Sequence, residues 1–199
     1  KVVTINKYTD YITQHYYNLD TQIVDSTGHF TFKIDSEKSF PAFIDIENKY
    51  GLLYLDQNTS IYKIYFPPLE KKDHPDLMKN YVELLFKDLS ENDINSLILD
   101  FNYRLDNFLY GDTTSLVRMA SHSQDFKDSL DLFKDSLLGL YLPYKNEYLH
   151  NYIRYSIGQI EQLSHHESSD KVKFNTYKFF FHKMPVLYEN DAYMIFFNQ

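Results

Sequence analysis

The side chains best suited to bind a metal ion lie in the C-terminal half. His165, His166 and Glu167 follow one another, and Glu161 precedes them by about one helical turn. Histidine and carboxylate groups at helical spacing can chelate zinc or another divalent cation. However, adjacent histidines point to different faces of a helix, and no His-Glu-x-x-His pattern is present. We interpret the cluster as a helix end, where histidine interacts favourably with the last carbonyl groups. We expect neither a metal site nor a cofactor.

A second group of chemically versatile side chains surrounds residue 150. His150 stands between Tyr148 and Tyr152, and Tyr155 follows. Histidine can transfer protons near neutral pH, but no paired nucleophile lies nearby in the sequence, which favours a structural histidine. Tyr148, Tyr152 and Tyr155 are instead interpreted as a possible binding surface, because aromatic rings stack on sugars and pack against peptides.

The sequence contains none of the common enzyme signatures that we sought. The five glycines, at positions 28, 51, 111, 139 and 158, are too far apart for a phosphate-binding loop. No Gly-x-Ser-x-Gly motif is present. The chain has no cysteine, which excludes a thiol nucleophile, a disulfide framework and dithiol redox chemistry within it. We predict that this chain is not itself an enzyme.

The charge balance limits the classes of partner. Twenty-eight acidic and twenty basic residues give a formal net charge of -8. The longest basic cluster, Lys71-Lys72, is followed at once by an aspartate, so we expect no nucleic-acid binding and little affinity for anionic membranes. No apolar run reaches the roughly 18 residues of a membrane span. Four aspartates at helical spacing are interpreted as a solvated row: Asp125, Asp128, Asp131 and Asp135.

The first third of the chain has the pattern of β-strands. Apolar and polar residues alternate with period two, for example in Phe30 to Ile34, and turn residues separate the runs. We predict turns at Asp25 to Gly28, at Lys49 to Gly51 and at Asp56 to Thr59. The predicted strands are Val2–Ile5, Tyr16–Val24, Phe30–Ile34, Ala42–Glu47, Leu52–Leu55 and Ile61–Phe66. Short strands at regular spacing are typical of an antiparallel sandwich or barrel.

The period changes to that of helices from Asp93 onward. We predict helices capped by Asp93 and Ser123, a third over Asn146 to Leu163, a fourth from Ser168 toward His182, and a last one starting at Asn190 or Asp191. The segment from Tyr81 to Phe86 fits a strand better than a short helix. The fold class is therefore α+β, with an antiparallel β domain at 1–70, a linker at Leu69 to Pro75, and a mainly helical bundle at 71–199.

Four loose motifs resemble one family. They are an Asp-x-x-Gly-x-Phe turn at Asp25 to Phe30, a strand pair from Tyr54-Leu55 to Tyr62 ahead of a proline, an Asn/Ile-rich helix from Asp93 to Tyr110, and an aromatic stretch from Leu187 to Phe197. This order is similar to the region upstream of the catalytic domain in large envelope thioredoxin-like (TlpA-type) disulfide reductases of certain Gram-negative bacteria. The Cys-x-x-Cys motif of that family lies further downstream, so the resemblance assigns no catalytic residue here.

The resemblance implies a non-catalytic accessory or interaction module of a larger periplasmic or cell-envelope protein. The chain begins at Lys1 rather than Met, and an apolar run ends two residues before the last position, so we expect a piece of a longer protein whose signal peptide has been removed. The alternative is a stand-alone glycan- or peptide-binding module that uses a tyrosine-rich surface. Both hypotheses allow a protein or peptide partner.

Overall fold

The structure is a computed structural model that describes residues 1–59, 61–67, 80–112, 114–164 and 170–198. Within these ranges seven strands precede six helices, which confirms the α+β class and the predicted order. The strands are β1 (Val2–Asp10), β2 (His15–Ile23), β3 (Phe40–Ile46), β4 (Lys49–Leu55), β5 (Lys63–Tyr65), β6 (Asn80–Tyr81) and β7 (Leu85–Lys87). The helices are α1 (Ile94–Tyr110), α2 (Ser115–Ala120), α3 (Gln124–Tyr141), α4 (Glu147–Leu163), α5 (Asp170–Phe180) and α6 (Asp191–Phe197).

The chain divides into two compact units, Lys1–Ser96 and Leu97–Gln199. The sequence predicts a boundary after residue 70, and the linker predicted at Leu69 to Pro75 lies outside the described residues. Strands β6 and β7 and the first residues of α1 belong to the first unit. The segment from Tyr81 to Phe86, predicted as one strand, contributes to both of these short strands.

Five strands of the first unit form an open sheet in the order β2-β1-β3-β4-β6, and β5 pairs with β7 in a small second sheet. Neighbouring strands are antiparallel except β4 and β6, which run parallel over two residue pairs. The main sheet is therefore mixed. It is not closed into a barrel, so the all-antiparallel and barrel-like parts of the prediction are corrected. The parallel pairing depends on a long connection that a local pattern does not report.

One face of the main sheet forms the core of the first unit. Val3 and Ile5 of β1 pair with Ile46 and Ile44 of β3, and all four side chains are buried. Residues two apart point to the same face of a strand, so the alternation in the sequence produces this apolar face. A second layer packs on it and contributes Phe30, Phe32, Ile34, Ile64, Phe66 and Phe86.

The segment from Phe30 to Ile34 is part of that second layer. The sequence predicts a β-strand here, but the structure has none in this segment. Its burial alternates as expected, with Phe30, Phe32 and Ile34 turned inward and Thr31 and Lys33 exposed. These five residues belong to neither of the two described sheets. Alternation records which side chains are buried, and it does not record where the backbone hydrogen bonds go.

The turn predicted at Lys49 to Gly51 lies two residues earlier. All three residues belong to β4, and the chain reverses at Glu47 and Asn48, where Glu47 adopts a φ of 55°. Gly51 has a packing role rather than a turn role. A Cβ atom there would clash with the side chain of Leu84, which is buried. Only glycine leaves room for so close an approach.

In the second unit, helices α1, α3 and α4 pack around a common core. Leu109 of α1 and Phe126 and Leu130 of α3 are buried together, and Ile160 of α4 packs against them. Phe101 and Leu109 of α1 are buried at helical spacing, as expected for the helix predicted from Asp93 onward.

Side-chain caps begin three of the helices at the predicted positions. Ser123, Asn146 and Asn190 each accept a hydrogen bond from the backbone N–H three residues later. These bonds satisfy donors that the first turn of a helix leaves without a backbone partner. The short helix α2 was not predicted, because six residues are too few for a helical period to be recognised.

Candidate functional site

Helices α1 and α3 border an open groove on the second unit. Tyr141, at the end of α3, contacts Asp100 in the first half of α1, whereas Phe126, near the start of α3, contacts Phe108 near the end of α1. The two helices are therefore antiparallel, and the groove follows their seam. Its volume is about 620 Å³, and the side chains that line it are Asp100, Tyr103, Arg104, Asn107, Phe108, Phe133, Ser136, Leu137 and Leu140.

Helical spacing places these side chains along one seam. Asp100, Arg104 and Phe108 are four residues apart on α1, so they lie above one another on the same face. Phe133, Leu137 and Leu140 follow a spacing of four and then three residues on α3, with the same result. The two walls of the groove are thus regular helix faces rather than loops, which fixes the positions of their side chains.

The floor of the groove is aromatic. The rings of Phe108 and Phe133 are stacked, with centroids 4.5 Å apart and planes inclined by only 5°. Both residues are half-buried, and Leu140 beside them is 38% exposed. The floor therefore presents apolar surface to solvent, and covering that surface would be favourable.

One end of the groove is polar and charged. The carboxylate of Asp100 accepts a hydrogen bond of 2.9 Å from Nε of Arg104 and one of 2.6 Å from the hydroxyl of Tyr141. The bond from Arg104 is the main reason that the pKa of Asp100 lies below its usual value. Burial, followed by donation to Asp100, raises the pKa of Tyr141. At neutral pH this end therefore contains a carboxylate, a guanidinium group and a neutral phenol.

Arg104 retains donors for an incoming group. A guanidinium has five N–H donors, and the Nε–H is the one that donates to Asp100. The side chain is 45% exposed at the groove. Asn107, one turn further along α1, adds an exposed amide. A backbone carbonyl, a carboxylate or a hydroxyl of a bound molecule would find donors at this end.

The outer side of α3 is acidic. The aspartates that we interpreted as a solvated row are all exposed, as that interpretation requires: Asp125, Asp128, Asp131 and Asp135. Lys134 lies 3.0 Å from Asp131 and 3.6 Å from Glu161 of α4, on the side of α3 that faces α4. None of these four aspartates lines the groove, so the negative charge of α3 lies on its outer side.

The three tyrosines of the predicted binding surface do not form an exposed face. Tyr155 is 1% exposed, and its hydroxyl donates to the carbonyl oxygen of Phe180 at 3.3 Å. Tyr148 is buried and donates to Asp191 at 2.8 Å. Tyr152 is half-buried and donates to Asn102 at 3.2 Å. All three hold α4 against its neighbours, because a tyrosine can pack its ring inside while its hydroxyl binds a partner.

Tyr155 is the centre of the aromatic cluster that joins α4 to α5 and α6. Its ring contacts the rings of Phe180, Phe181, Tyr193 and Phe196, with centroids 4.8 to 6.3 Å apart. Gly158, one turn along α4, lets the rings of Phe180 and Phe196 approach, since a Cβ there would lie 2.9 Å from each. A position predicted as a contact surface is therefore a packing centre.

The described structure includes only one of the four side chains considered as metal ligands in the C-terminal half. His165, His166 and Glu167 lie outside the described residues, and Glu161 faces Lys134. Among the residues that the structure describes, no group of three or more potential ligands is arranged to hold a metal ion. The Nε2 atom of half-buried His150 lies 2.6 Å from the carbonyl oxygen of Tyr144, and it must donate because that oxygen can only accept.

The sequence pattern does not predict the groove. Phe108, Phe133 and Leu140 belong to apolar stripes at helical spacing, and such a stripe does not reveal how much of it a neighbour covers. The signal that could have identified the polar end is the Asp100–Arg104 pair, an acid and a base four residues apart.

No protein-family model matches this chain, and no curated protein or solved structure matches it either. Among the residues that the structure describes, no helix is both long enough and apolar enough to cross a bilayer.

Proposed function

We propose that this chain is a non-catalytic interaction module that binds a basic, amphipathic peptide segment of a partner protein in the groove between α1 and α3. The observation that carries the proposal is the combination of an aromatic floor, Phe108 stacked on Phe133, with a charged end formed by Asp100 and Arg104. Grooves between paired helices are a common mode of peptide recognition, in which an amphipathic helix lays its apolar face on the floor.

The acidic outer side of α3 favours a basic partner. Asp128, Asp131 and Asp135 are exposed on α3, and none of them lines the groove. Their carboxylates would therefore attract the lysine or arginine side chains of an approaching helix over a distance rather than by direct contact. Such complementarity contributes mostly to specificity and to the association rate. For the same reason a second copy of this acidic chain is a poor occupant.

A binding role also suits the protonation state of the polar end. Arg104 keeps the pKa of Asp100 low, so this carboxylate stays ionised at neutral pH. Tyr141, with its raised pKa, keeps its proton. Catalytic acids and bases need a pKa near the working pH. Neither group meets that need, whereas both can position a bound peptide by hydrogen bonds.

We extend the proposal to the parent protein, on the basis of the sequence resemblance. The β part followed by a helical part agrees with an accessory region of a periplasmic or cell-envelope thioredoxin-like protein, in which a separate domain would carry the redox cysteines. The native reading frame beyond Gln199 tests this extension directly. A Cys-x-x-Cys domain there would support it, and its absence would contradict it without affecting the groove.

The groove itself is tested with a fluorescent Leu/Lys peptide designed as an amphipathic helix, and a Leu/Glu peptide as its acidic counterpart. Fluorescence anisotropy should detect binding of the basic peptide only. Leu140→Asp, at the groove floor, should weaken it about tenfold or more, because a charge is placed against the apolar face.

Leu138→Asp is the matched control, since Leu138 is exposed on the same helix but does not line the groove. It should leave the affinity unchanged. Equal binding of the acidic and basic peptides would contradict the proposal, as would equal effects of the two substitutions.

A glycan is the second candidate occupant. Tyr103 at the rim of the groove is 67% exposed and lies next to Arg104 and near Asn107, and an accessible ring beside hydrogen-bonding groups suits a sugar. Tyr103→Ala would abolish binding to an oligosaccharide array if a glycan is the ligand. Retained oligosaccharide binding in that variant would exclude this rim as the sugar site.

A further inference from the structure

Residues 171–188 differ in charge from the rest of the chain. This basic aromatic segment comprises most of α5 and the turn that follows it, and it contains four lysines and a histidine: Lys171, Lys173, Lys178, His182 and Lys183. It contains no aspartate or glutamate, although the chain has twenty-eight acidic residues. None of the four lysines is ion-paired among the residues that the structure describes. The net charge of -8 therefore conceals a local excess of positive charge.

The same segment exposes large apolar side chains. Six of them are between 42% and 68% exposed: Phe174, Tyr177, Phe179, Met184, Val186 and Tyr188. Single exposed apolar residues need no explanation, but a group of them on one element marks an interaction surface. Aromatic and basic residues are interleaved here along a single stretch of chain.

The packing of α5 fixes which side is presented outward. Phe180 is 5% exposed, and its ring contacts Tyr155 and Phe196, so it anchors the inner face. Lys171, Phe174 and Lys178 lie at a spacing of three and four residues, which puts them together on the opposite face. Because Phe180 is buried on the inner face, Phe174 and its two neighbouring lysines face solvent.

A second contact keeps this arrangement in place. The Nη2 group of Arg154 on α4 donates to the carbonyl oxygen of Phe179 at 2.8 Å, at the end of α5. The guanidinium also lies 5.6 Å from the centre of the Phe179 ring. Arg154 satisfies a carbonyl that the helix end leaves without an intrahelical partner, and it adds a positive charge beside the segment.

We propose that the basic aromatic segment is a membrane-docking surface that binds anionic lipid at the bilayer interface. Phe174 and Tyr177 would enter the headgroup region, while Lys171 and Lys178 would remain at the level of the phosphates. Helices with lysine beside aromatic residues bind at this depth without crossing the bilayer. Anionic headgroups complement the four lysines, which outnumber the two flanking carboxylates of Asp170 and Glu189.

Lipid fits this surface better than nucleic acid does. Lysine, phenylalanine and tyrosine could all serve a single-stranded nucleic acid, since bases stack on aromatic rings. Contacts with phosphates or bases would not remove the exposed apolar side chains of Met184 and Val186 from water. The boundary between lipid headgroups and acyl chains would bury them favourably. The inference concerns α5 and the turn after it, so it does not depend on a peptide in the α1–α3 groove.

Vesicle co-sedimentation tests the proposal with the intact chain. The chain should sediment with phosphatidylcholine vesicles that contain phosphatidylglycerol, and it should not sediment with vesicles of phosphatidylcholine alone. Binding should weaken as salt is added, because salt screens the attraction of the lysines. Each lysine near the surface should contribute about fivefold in affinity, so Lys171→Gln with Lys178→Gln should weaken binding by an order of magnitude or more.

Two matched controls exclude a general effect of charge or exposure. Lys38→Gln with Lys87→Gln removes the same charge from exposed positions in the first unit, and Tyr110→Ser removes an exposed ring from α1. Neither control should change vesicle binding, whereas Phe174→Ser should weaken it. Circular dichroism should show that all variants stay folded, since the substituted side chains are exposed.

Failure of the intact chain to bind anionic vesicles would overturn the proposal. So would equal losses in the segment variants and the controls. A single-stranded oligonucleotide serves as the competing polyanion. If it binds at the same salt concentration while vesicles do not, the segment is a nucleic-acid surface and the lipid proposal is wrong.

Discussion

Asn95 shows how one side chain can replace a piece of β-ladder. Its amide nitrogen donates to the carbonyl oxygen of Tyr54 at 2.8 Å, and its amide oxygen accepts from the N–H of Tyr54 at 2.7 Å. Asp93 in turn accepts from both the backbone and the side chain of Asn95. The first turn of α1 is thereby tied to strand β4 through buried polar groups that are all satisfied.

Asn95→Ala should lower the free energy of unfolding by about 2–3 kcal/mol, because it leaves two buried backbone groups of Tyr54 without partners. Urea unfolding measures this loss. Asn92→Ala is the control, since Asn92 is exposed and its change should be close to zero. Equal stability of the two variants would show that the Asn95 bonds contribute nothing net.

The two helical glycines at positions 139 and 158 should respond oppositely to alanine. Gly158→Ala places a methyl group 2.9 Å from the rings of Phe180 and Phe196, and overpacking of this kind costs about 1–3 kcal/mol. Gly139→Ala meets nothing within 4 Å, so the better helix propensity of alanine should stabilise the chain by up to about 1 kcal/mol. Thermal unfolding distinguishes them, and stabilisation by both substitutions would contradict the described packing.

Asp25 should titrate at unusually low pH. Its carboxylate accepts from the backbone N–H of His29 and from the hydroxyl of Thr27, and these bonds lower its pKa to about 2. A group with a depressed folded pKa stabilises the fold above its unfolded value of 3.8, and that contribution is lost as the pH falls toward 2.

Carbon-detected NMR of the Asp25 carboxyl group measures this titration. Thr27→Val should move the pKa back toward 3.8, because it removes one of the two main donors. A pKa near 3.8 in the unsubstituted chain would contradict the turn geometry.

At the scale of elements, the sequence predicts what is local. Ser123 and Asn190 were recognised as helix starts because a cap acts only on the turn that follows it. The alternation at Phe30 to Ile34 correctly predicted burial, yet it did not show that the segment lies outside the two described sheets. The parallel β4–β6 pair and the α1–α3 groove depend on chain segments brought together from a distance. Neither the strand pair nor the groove can be recognised from the residue pattern of a short stretch of sequence.

The tyrosines of α4 illustrate the same limit. The apolar stripe over Asn146 to Leu163 predicted helix α4 correctly, and Tyr155 was interpreted as part of a binding surface. Neither pattern shows whether another element covers the side chain. Tyr155 is covered by α5 and α6, whose aromatic rings come from residues at least 25 positions further on. Burial of an amphipathic residue is a property of the packed elements rather than of the helix that carries it.

At the scale of the whole molecule, charge is separated along the chain. The acidic row on α3 and the basic aromatic segment from residue 171 to 188 lie in the same unit and have opposite signs. The net charge of -8 led to the prediction that anionic membranes are disfavoured, but contact is decided by the local charge within about a Debye length, roughly 10 Å. One module can therefore offer a negative surface to a basic peptide and a positive surface to lipid.

The central claim is that the α1–α3 groove receives a basic amphipathic peptide, and NMR titration of the labelled chain tests it most directly. Adding the Leu/Lys peptide should shift the backbone amide signals of Tyr103, Asn107, Ser136 and Leu140, which line the groove. Signals from the first unit and from α5 should stay in place. Shifts confined to other parts of the chain, or no shifts at saturating peptide, would contradict the claim.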